Sequence, residues 1–174
     1  MINRTLFIVC VFVLLHPVSA QNTASIKPCS DPASSQFDFW IGDWNLTWND
    51  TSKGTNSINR MMDGCVVQEN FNDPIQHFTG TSWSVYNPAA ALWQQTWVDN
   101  QGGYIVLTGK FEKGEMMLST KPVTMKDGKQ SVYRMKFYNI KPESFDWNWE
   151  NSTDDGHTWK LNWKIHYQRK KNAG

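Results

Sequence analysis

The sequence lacks an excess of charge of either sign. Its 174 residues carry 17 Lys and Arg against 16 Asp and Glu, a formal net charge of +1. Proteins that bind phosphate polymers through charge need a basic surplus, so this composition excludes a generic polyanion binder, and no nucleic-acid partner is expected. Aromatic residues make up 14% of the chain, which excludes a disordered tail.

The sequence also lacks a hydrophobic run long enough to span a bilayer. The apolar stretch 5–15 has about 11 residues, whereas a spanning helix needs about 20. Arg4 precedes this stretch, and the small residues at 18–20 are those that a signal peptidase recognises. Residues 1–20 are therefore predicted to be a signal peptide. The mature protein is expected to be exported, either periplasmic or secreted, without membrane association after cleavage.

Cysteine is scarce. Of the 3 cysteines, Cys10 lies in the predicted signal peptide, which leaves Cys29 and Cys65 in the mature chain. An oxidising destination favours a disulfide between them, which would close a loop of about 37 residues and contribute about 3–4 kcal/mol; two buried free thiols are the alternative. Neither cysteine stands in a protease-type signature, so no cysteine nucleophile is expected. The histidines and cysteines show no zinc-site spacing, so no metal is predicted.

No segment sustains the 3.6-residue period of an amphipathic helix, which argues against an α/β fold. Apart from one short helical turn within 35–41, polar and apolar residues alternate with a period of two. The predicted strands are 43–48, 57–62, 65–71, 77–86, 92–99, 104–111, 115–120, 131–140, 144–151 and 158–168.

Ten hairpin-linked strands expose two edges unless the sheet closes. We therefore predict an all-β fold, a single up-and-down antiparallel barrel of about ten strands, with a two-sheet sandwich as the fallback. The barrel domain is expected to span 37–170, after an N-terminal lead-in over 21–36.

Tryptophan is abundant, with 10 residues, none of them in the predicted signal peptide. Strand alternation places several on one inward face, where they either plug the lumen or wall a cavity, since a ten-stranded barrel is wider than side chains easily fill. We predict that the lumen binds a small, mostly apolar molecule. The apolar wall would consist of Trp44, Trp97, Tyr104, Trp149 and Trp163, with polar contacts from Glu69, Gln95 and Arg134.

Two other functions stay open at this point, and no catalytic residue is assigned. A small barrel enzyme would need two carboxylates facing each other in the lumen, with Glu69, Asp99 and Glu150 as candidates. A carbohydrate-binding module would need exposed aromatic platforms, for which Trp83 and Trp93 are the least clearly buried. The sequence does not predict the oligomeric state.

Several blocks of the chain, in the right order, resemble a large family of uncharacterised, mostly bacterial, often exported proteins. The matching blocks are 37–44 (FDFWIGDW), 63–71 (DGCVVQENF), 84–88 (SVYNP), 95–104 (QTWVDNQGGY), 149–152 (WENS) and 155–159 (DGHTW). This domain of unknown function is similar to the calycin-like barrels: lipocalins, fatty-acid-binding proteins and nitrobindins. The resemblance implies a barrel with a lumen ligand and supplies no established reaction.

A nitrobindin-like barrel would carry haem on an axial histidine. His166 falls on the polar face of the last predicted strand, opposite its tryptophans, and His77 and His157 lie at a strand start and in a turn. Three surface histidines and no cofactor are therefore expected, with haem on His166 as the alternative if the lumen were the polar face.

Residues 152–159 fit the pattern S-x-D-x-G-x-T-W, the Asp box of sialidases. Sialidases resemble the chain only at this point. The residue types suit a structural turn, with Asp154 accepting backbone N–H groups and Gly156 allowing positive φ above Trp159. We interpret it as a folding device and not as a catalytic site.

Overall fold

Short 3₁₀ turns and eleven β-strands make up the described part of the chain. The computed structural model describes residues 28–49 and 52–171, so the predicted signal peptide and residues 21–27 lie outside it. The elements are 3₁₀ turns Pro32–Ser35, Asp38–Trp40 and Met62–Gly64, and strands β1 Gly42–Trp48, β2 Ser52–Met61, β3 Val66–Asp73, β4 Phe78–Asn87, β5 Leu92–Asp99, β6 Tyr104–Glu112, β7 Glu115–Ser119, β8 Val123–Thr124, β9 Gln130–Lys141, β10 Ser144–Ser152 and β11 Lys160–Arg169. Within the described ranges, no helix is long and apolar enough to cross a membrane.

The strands close into an antiparallel barrel. Each strand from β1 to β6 pairs with the next, β7 pairs with β9, β9 pairs with β10, and β10 pairs with β11. β11 then pairs with β1, with Trp44 opposite Arg169, which closes the sheet. The two-residue strand β8 lies outside this ring and pairs only with the start of β9. The predicted all-β barrel of ten strands is confirmed.

Strand boundaries agree with the alternation of the sequence except in β2. This strand begins at Ser52, five residues before the predicted start at 57. The extra residues include Gly54 and Asn56, which are buried although neither is apolar. A strand whose inward positions are glycine and asparagine carries no hydrophobic period, so alternation alone misses it.

One end of the barrel is closed by the residues that precede β1. Phe37 and Trp40 are fully buried and pack against Phe137, with ring centroids 5.6 and 5.1 Å apart. This N-terminal plug, residues 37–41, includes the helical turn predicted within 35–41. Because Trp40 lies in a 3₁₀ turn of the plug, its side chain enters the lumen from the closed end of the barrel and not from a wall strand.

Arg169 at the end of β11 holds the plug in place. Its guanidinium donates to the main-chain oxygens of Ile41 and Phe39, at 2.8 and 3.3 Å, and lies 4.2 Å from the centroid of the Trp44 ring. Gly42 has φ +124°, and a Cβ there would overlap the guanidinium of Arg169. Glycine at this position therefore lets the last strand clamp the first.

A disulfide between Cys29 and Cys65 ties the segment that precedes the plug to the turn between β2 and β3. The two Cα atoms are 5.3 Å apart, and the pairing predicted from the sequence is confirmed. Arg60 reinforces the same corner, since it donates to the main-chain oxygen of Ser34 at 2.9 Å and forms an ion pair with Asp38. The closed end is thus fixed covalently and electrostatically.

Candidate functional site

The lumen beyond the plug holds a cavity of about 190 Å³. Trp40 lies on its floor, and its wall comes from β3, β4, β5, β6, β9, β10 and β11. A cavity of about 150 Å³ suffices for benzene. The space therefore suits a single ring with a short substituent.

Aromatic rings form most of the cavity wall. They are Trp40, Phe71, Phe78, Trp97, Phe137, Trp147, Trp149, Trp163 and Tyr167. Trp147 and Trp149 lie nearly parallel, at 4° and 6.4 Å between centroids, and Trp163 meets Trp147 edge-on at 5.8 Å. Across the lumen, Trp97 covers Gly80, where any Cβ would overlap the indole ring. These rings hold one another in fixed orientations, so the cavity keeps its shape without a ligand.

Glu69 is a buried carboxyl on the cavity wall. Asn56 Nδ2 donates to its Oε1 at 2.7 Å, and Ser82 Oγ donates to its Oε2 at 2.6 Å. Burial raises the pKa of Glu69 to about 7, although the hydrogen bonds from Ser82 and Asn56 lower it. A carboxyl that changes charge near neutral pH in an aromatic cavity is typical of binding and catalytic sites.

Polar side chains continue from Glu69 across neighbouring strands. Asn56 Nδ2 also lies 3.2 Å from the hydroxyl of Tyr167, and Gln95 Nε2 donates to Ser84 at 2.8 Å. Buried polar atoms normally have partners. Within the described residues, Asn56 Oδ1, Gln95 Oε1 and Trp40 Nε1 are buried side-chain atoms without one. Of these, the Trp40 N–H belongs to a residue that lines the cavity.

Asp99 lines the cavity at its outer end, but its carboxylate is already occupied. Trp97 Nε1 donates to Oδ2 at 3.0 Å, and the backbone N–H groups of Gln101 and Gly103 donate to Oδ1 at 2.9 and 2.8 Å. Burial alone would raise the pKa of Asp99, but these hydrogen bonds outweigh it and hold the pKa below its usual value. Asp99 therefore orders the β5–β6 turn and is not a free partner for Glu69.

A groove on the outer wall meets the cavity. β6 pairs with β7 only from Thr108 onward, so the first half of β6 has no strand on that side. The groove lies between this half of β6 and β8, and Ile105 and Trp149 line both the groove and the cavity. At this gap in the wall, the groove and the cavity thus share two side chains.

The structure brings half of the predicted ligand-binding residues together at the cavity: Trp97, Trp149, Trp163 and Glu69. Two others lie elsewhere in the interior. Trp44 is fully buried beside the plug, where its Nε1 donates to the Trp40 carbonyl oxygen at 2.7 Å. Gln95 is buried against Ser84 and is not among the lining residues. The role of all these residues in ligand binding stays a prediction.

The placement of Tyr104 and Arg134 in the lumen needs correction. Tyr104 is 69% exposed and lies beside the outer groove, because it pairs with outward-facing Val98. Arg134 faces outward, where its Nε donates to Glu150 Oε2 at 2.6 Å and its guanidinium lies 3.8 Å from the Trp159 ring. The same ion pair places Glu150 on the outside of the barrel, away from Glu69.

Sequence reasoning missed Trp40, Asn56 and Tyr167 as members of the site. Trp40 lies in a 3₁₀ turn, to which strand parity does not apply, and Asn56 lies in a polar run. Tyr167 does follow the inward alternation of β11, and that parity was the signal that could have found it.

The residues predicted for sugar binding and for haem binding do not lie where those functions would need them. Trp93 is 1% exposed, so it cannot form an exposed sugar platform with Trp83, which is 38% exposed. His166 lies on the outer surface, with its Nδ1 2.8 Å from Asp146 Oδ1, so it does not reach the cavity that the haem alternative would use. Within residues 28–49 and 52–171, no three His, Cys, Asp or Glu side chains converge as metal ligands.

The Asp box forms the turn between β10 and β11. Asp154 accepts from Thr158 through both the backbone N–H, at 2.9 Å, and the hydroxyl, at 2.6 Å. Ser152 Oγ donates to Asp154 at 2.6 Å and accepts from the Gly156 N–H at 2.8 Å. Trp159 Nε1 donates to the Gly156 oxygen at 3.0 Å. The side chains of Ser152, Asp154, Thr158 and Trp159 all bond within the turn, which supports its interpretation as a folding device.

Compared with known proteins, the chain matches no family model and no curated protein. Its membership of the domain family that it resembles therefore stays a prediction. What the resemblance implied about the fold, a closed antiparallel barrel, agrees with the structure.

Proposed function

We propose that this protein is an exported binding protein that holds a small, mostly apolar, ring-bearing molecule in its lumen. The observation that carries the proposal is the aromatic cavity of about 190 Å³ between the plug and the far end of the barrel. If the tryptophans only formed the hydrophobic core, their side chains would fill this space, because protein interiors leave few voids larger than a water molecule.

The polar groups of the cavity are few, as in sites that orient a small apolar ligand. Glu69 offers a carboxyl on the wall and Trp40 an N–H without a partner on the floor. Tryptophan N–H groups in protein interiors usually find a partner. A ligand with one acceptor would satisfy Trp40 while its ring contacts the indoles of β10 and β11.

Export is the part of the proposal that depends on the disulfide. Cys29–Cys65 is a bond of the kind that persists in oxidising compartments and is rare in the cytosol. The predicted signal peptide lies outside the described residues. Sequencing the N-terminus of the protein recovered from the extracytoplasmic fraction tests cleavage after Ala20.

Filling the cavity tests the binding proposal. Ile105 lines the cavity, whereas its neighbour Val106 faces outward and is 49% exposed. Ile105→Trp should occupy the space and weaken binding of one-ring probes such as toluene and phenol at least tenfold. Val106→Trp adds the same side chain on the opposite face and should leave binding unchanged. Saturation-transfer NMR measures the probe affinities, and circular dichroism confirms that both variants fold.

The two variants separate binding in the lumen from binding at the surface. Equal probe affinity in wild type and Ile105→Trp would show that the probes bind elsewhere and would refute a lumen site. Loss of binding in Val106→Trp alone would move the site to the outer groove.

A further inference from the structure

The ionisable groups of the cavity all have the same sign. Glu69, Asp99 and Tyr167 are the titratable side chains that line it, and none of its lining residues is Lys, Arg or His. Arg134, the arginine that the sequence predicted in the lumen, points outward to Glu150. Any charge that the lumen itself carries is therefore negative.

The rest of the wall is also suited to a positive charge. Nine aromatic side chains line the space, and the faces of aromatic rings attract cations, with tryptophan the strongest. Five of the nine are indoles: Trp40, Trp97, Trp147, Trp149 and Trp163. Aromatic cages with a nearby carboxylate are a recurrent solution for binding ammonium groups.

We propose that the lumen selects a small organic ammonium, a protonated amine on a short apolar or aromatic stem, with Glu69 as its counter-ion. This inference rests on the proposed function, because it assigns a ligand class to the same cavity. Asn56 and Ser82 occupy one site on each carboxylate oxygen. An ionised carboxylate has about four lone-pair sites, so Glu69 retains room to accept from an ammonium group.

Binding of such a ligand includes a proton release. The pKa of Glu69 is about 7 because burial opposes its charge, so about half of the molecules carry a proton on Glu69 at pH 7. An ammonium group in the cavity favours the carboxylate, and the proton leaves to the buffer. The other titratable groups that face the site, Tyr167 and Asp99, stay neutral and ionised respectively at this pH, since the pKa of Tyr167 is raised and that of Asp99 lowered.

The affinity for an amine should therefore follow pH in a defined direction. Below pH 7 Glu69 is protonated and the affinity falls; near the pKa of an alkylamine, about 10, the ligand loses its own charge and the affinity falls again. The affinity for a neutral ligand of the same shape should fall neither below pH 7 nor near pH 10.

The test compares three probes of similar size by isothermal titration calorimetry: 2-phenylethylamine, 2-phenylethanol and phenylacetate. We expect the wild-type protein to bind the amine at least tenfold more tightly than the alcohol and to bind the anion least. In buffers of different ionisation enthalpy, amine binding at pH 7 should release about half a proton. These measurements need no variant.

Two variants then test the counter-ion. Glu69→Gln keeps the shape of the side chain but removes its charge. The variant should lose the preference for the amine and the proton release, and it should still bind the alcohol. The matched control is Glu150→Gln, because Glu150 is buried to a similar extent, 8% against 7% exposed, on the other side of the wall. It should behave as wild type.

The outcomes separate this inference from the proposed function. Binding of the alcohol as tightly as the amine would overturn the ammonium inference and leave the lumen as a binding site for neutral molecules. Preference for the amine that survives in Glu69→Gln would overturn the role of Glu69. Failure of all three probes to bind would count against both the inference and the proposed function.

Discussion

Glu69 and Glu150 show how the same residue type takes opposite roles on two faces of one barrel. Both are buried to nearly the same extent. Glu150 is compensated by the ion pair with Arg134, whereas Glu69 has only the neutral donors Asn56 and Ser82. A buried carboxylate without a cation is costly, and proteins retain one mainly where it has a function. This difference in compensation is the reason for testing Glu69, and not Glu150, as the functional carboxyl.

The raised pKa of Glu69 predicts a pH-dependent stability. Its pKa in the folded protein is about 7, above the value of 4.5 for an unperturbed glutamate. The folded state therefore binds the proton more tightly, so the contribution is fully present below pH 4.5 and is lost as the pH rises through 7. The loss should be about 3 kcal/mol, since each pKa unit is worth about 1.4 kcal/mol.

Urea unfolding of wild type and Glu69→Gln at pH 4.5 and 7.5 measures this effect. The difference in unfolding free energy between the two proteins should shift in favour of Glu69→Gln at the higher pH. A difference that is the same at both pH values would mean that Glu69 titrates normally in the folded state.

For single residues, the sequence predicted that Glu69 lies in the lumen but not which side chains surround it. Glu69 was named as a candidate polar contact, and the structure places it on the cavity wall. Its donor Asn56 lies 13 residues away, and Tyr167 lies 111 residues from Asn56. Such neighbours depend on the register between strands and on closure of the barrel, neither of which is encoded in the alternation of a single strand.

Among the elements, strand parity was reliable where hairpins are regular and failed where a loop or bulge changes the register. The four-residue turn after Asp99 places Tyr104 opposite Val98, so Ile105 and not Tyr104 faces the cavity. In the last hairpin, a bulge between Trp149 and Glu150 shifts the pairing, and Leu161 becomes 50% exposed although the alternation predicted it inside. One added residue moves every later side chain to the other face.

The Asp box gives a prediction for one such hairpin. Thr158→Ala removes the hydroxyl that donates to Asp154 at 2.6 Å, so the β10–β11 turn should be less stable. We expect the melting temperature to fall by about 2–4 °C, a typical response of a domain of this size to loss of one hydrogen bond. Probe affinity should not change, because the polar groups of the motif bond only within the turn.

Thr153→Ala is the matched control, since Thr153 is an exposed threonine of the same turn. Differential scanning calorimetry should find its melting temperature close to that of wild type. A Thr158→Ala protein that melts as wild type does but loses probe affinity would contradict the structural interpretation of the motif.

For the molecule as a whole, stability should be highest where the barrel closes and lowest beside the gap in its wall. The pairing of β11 with β1 joins the two ends of the fold, and Arg169 locks it to the plug. In contrast, β8 has two residues and pairs with one strand, and residues 121–130 are all exposed. Elements with few buried contacts open at low free-energy cost.

Hydrogen exchange followed by mass spectrometry tests this gradient. Peptides covering 121–130 should exchange within seconds, whereas peptides covering β1 and β11 should be protected until global unfolding. A saturating one-ring probe should slow exchange in the first half of β6, which borders the cavity, more than in β2. Equal protection of β8 and β11 would mean that the barrel opens as a single unit.

The gap between β6 and β8 also bears on self-association. A closed barrel normally has no free strand edge, but here the backbone of Tyr104–Leu107 lacks a partner strand on one side. Such an edge is a template for pairing with the same edge of a second molecule. Pro122, which cannot donate a backbone hydrogen bond, and Lys121 lie beside it on the groove, and both residue types discourage edge-to-edge contact. The free edge of β6 thus favours aggregation, and Lys121 and Pro122 oppose it at the same place.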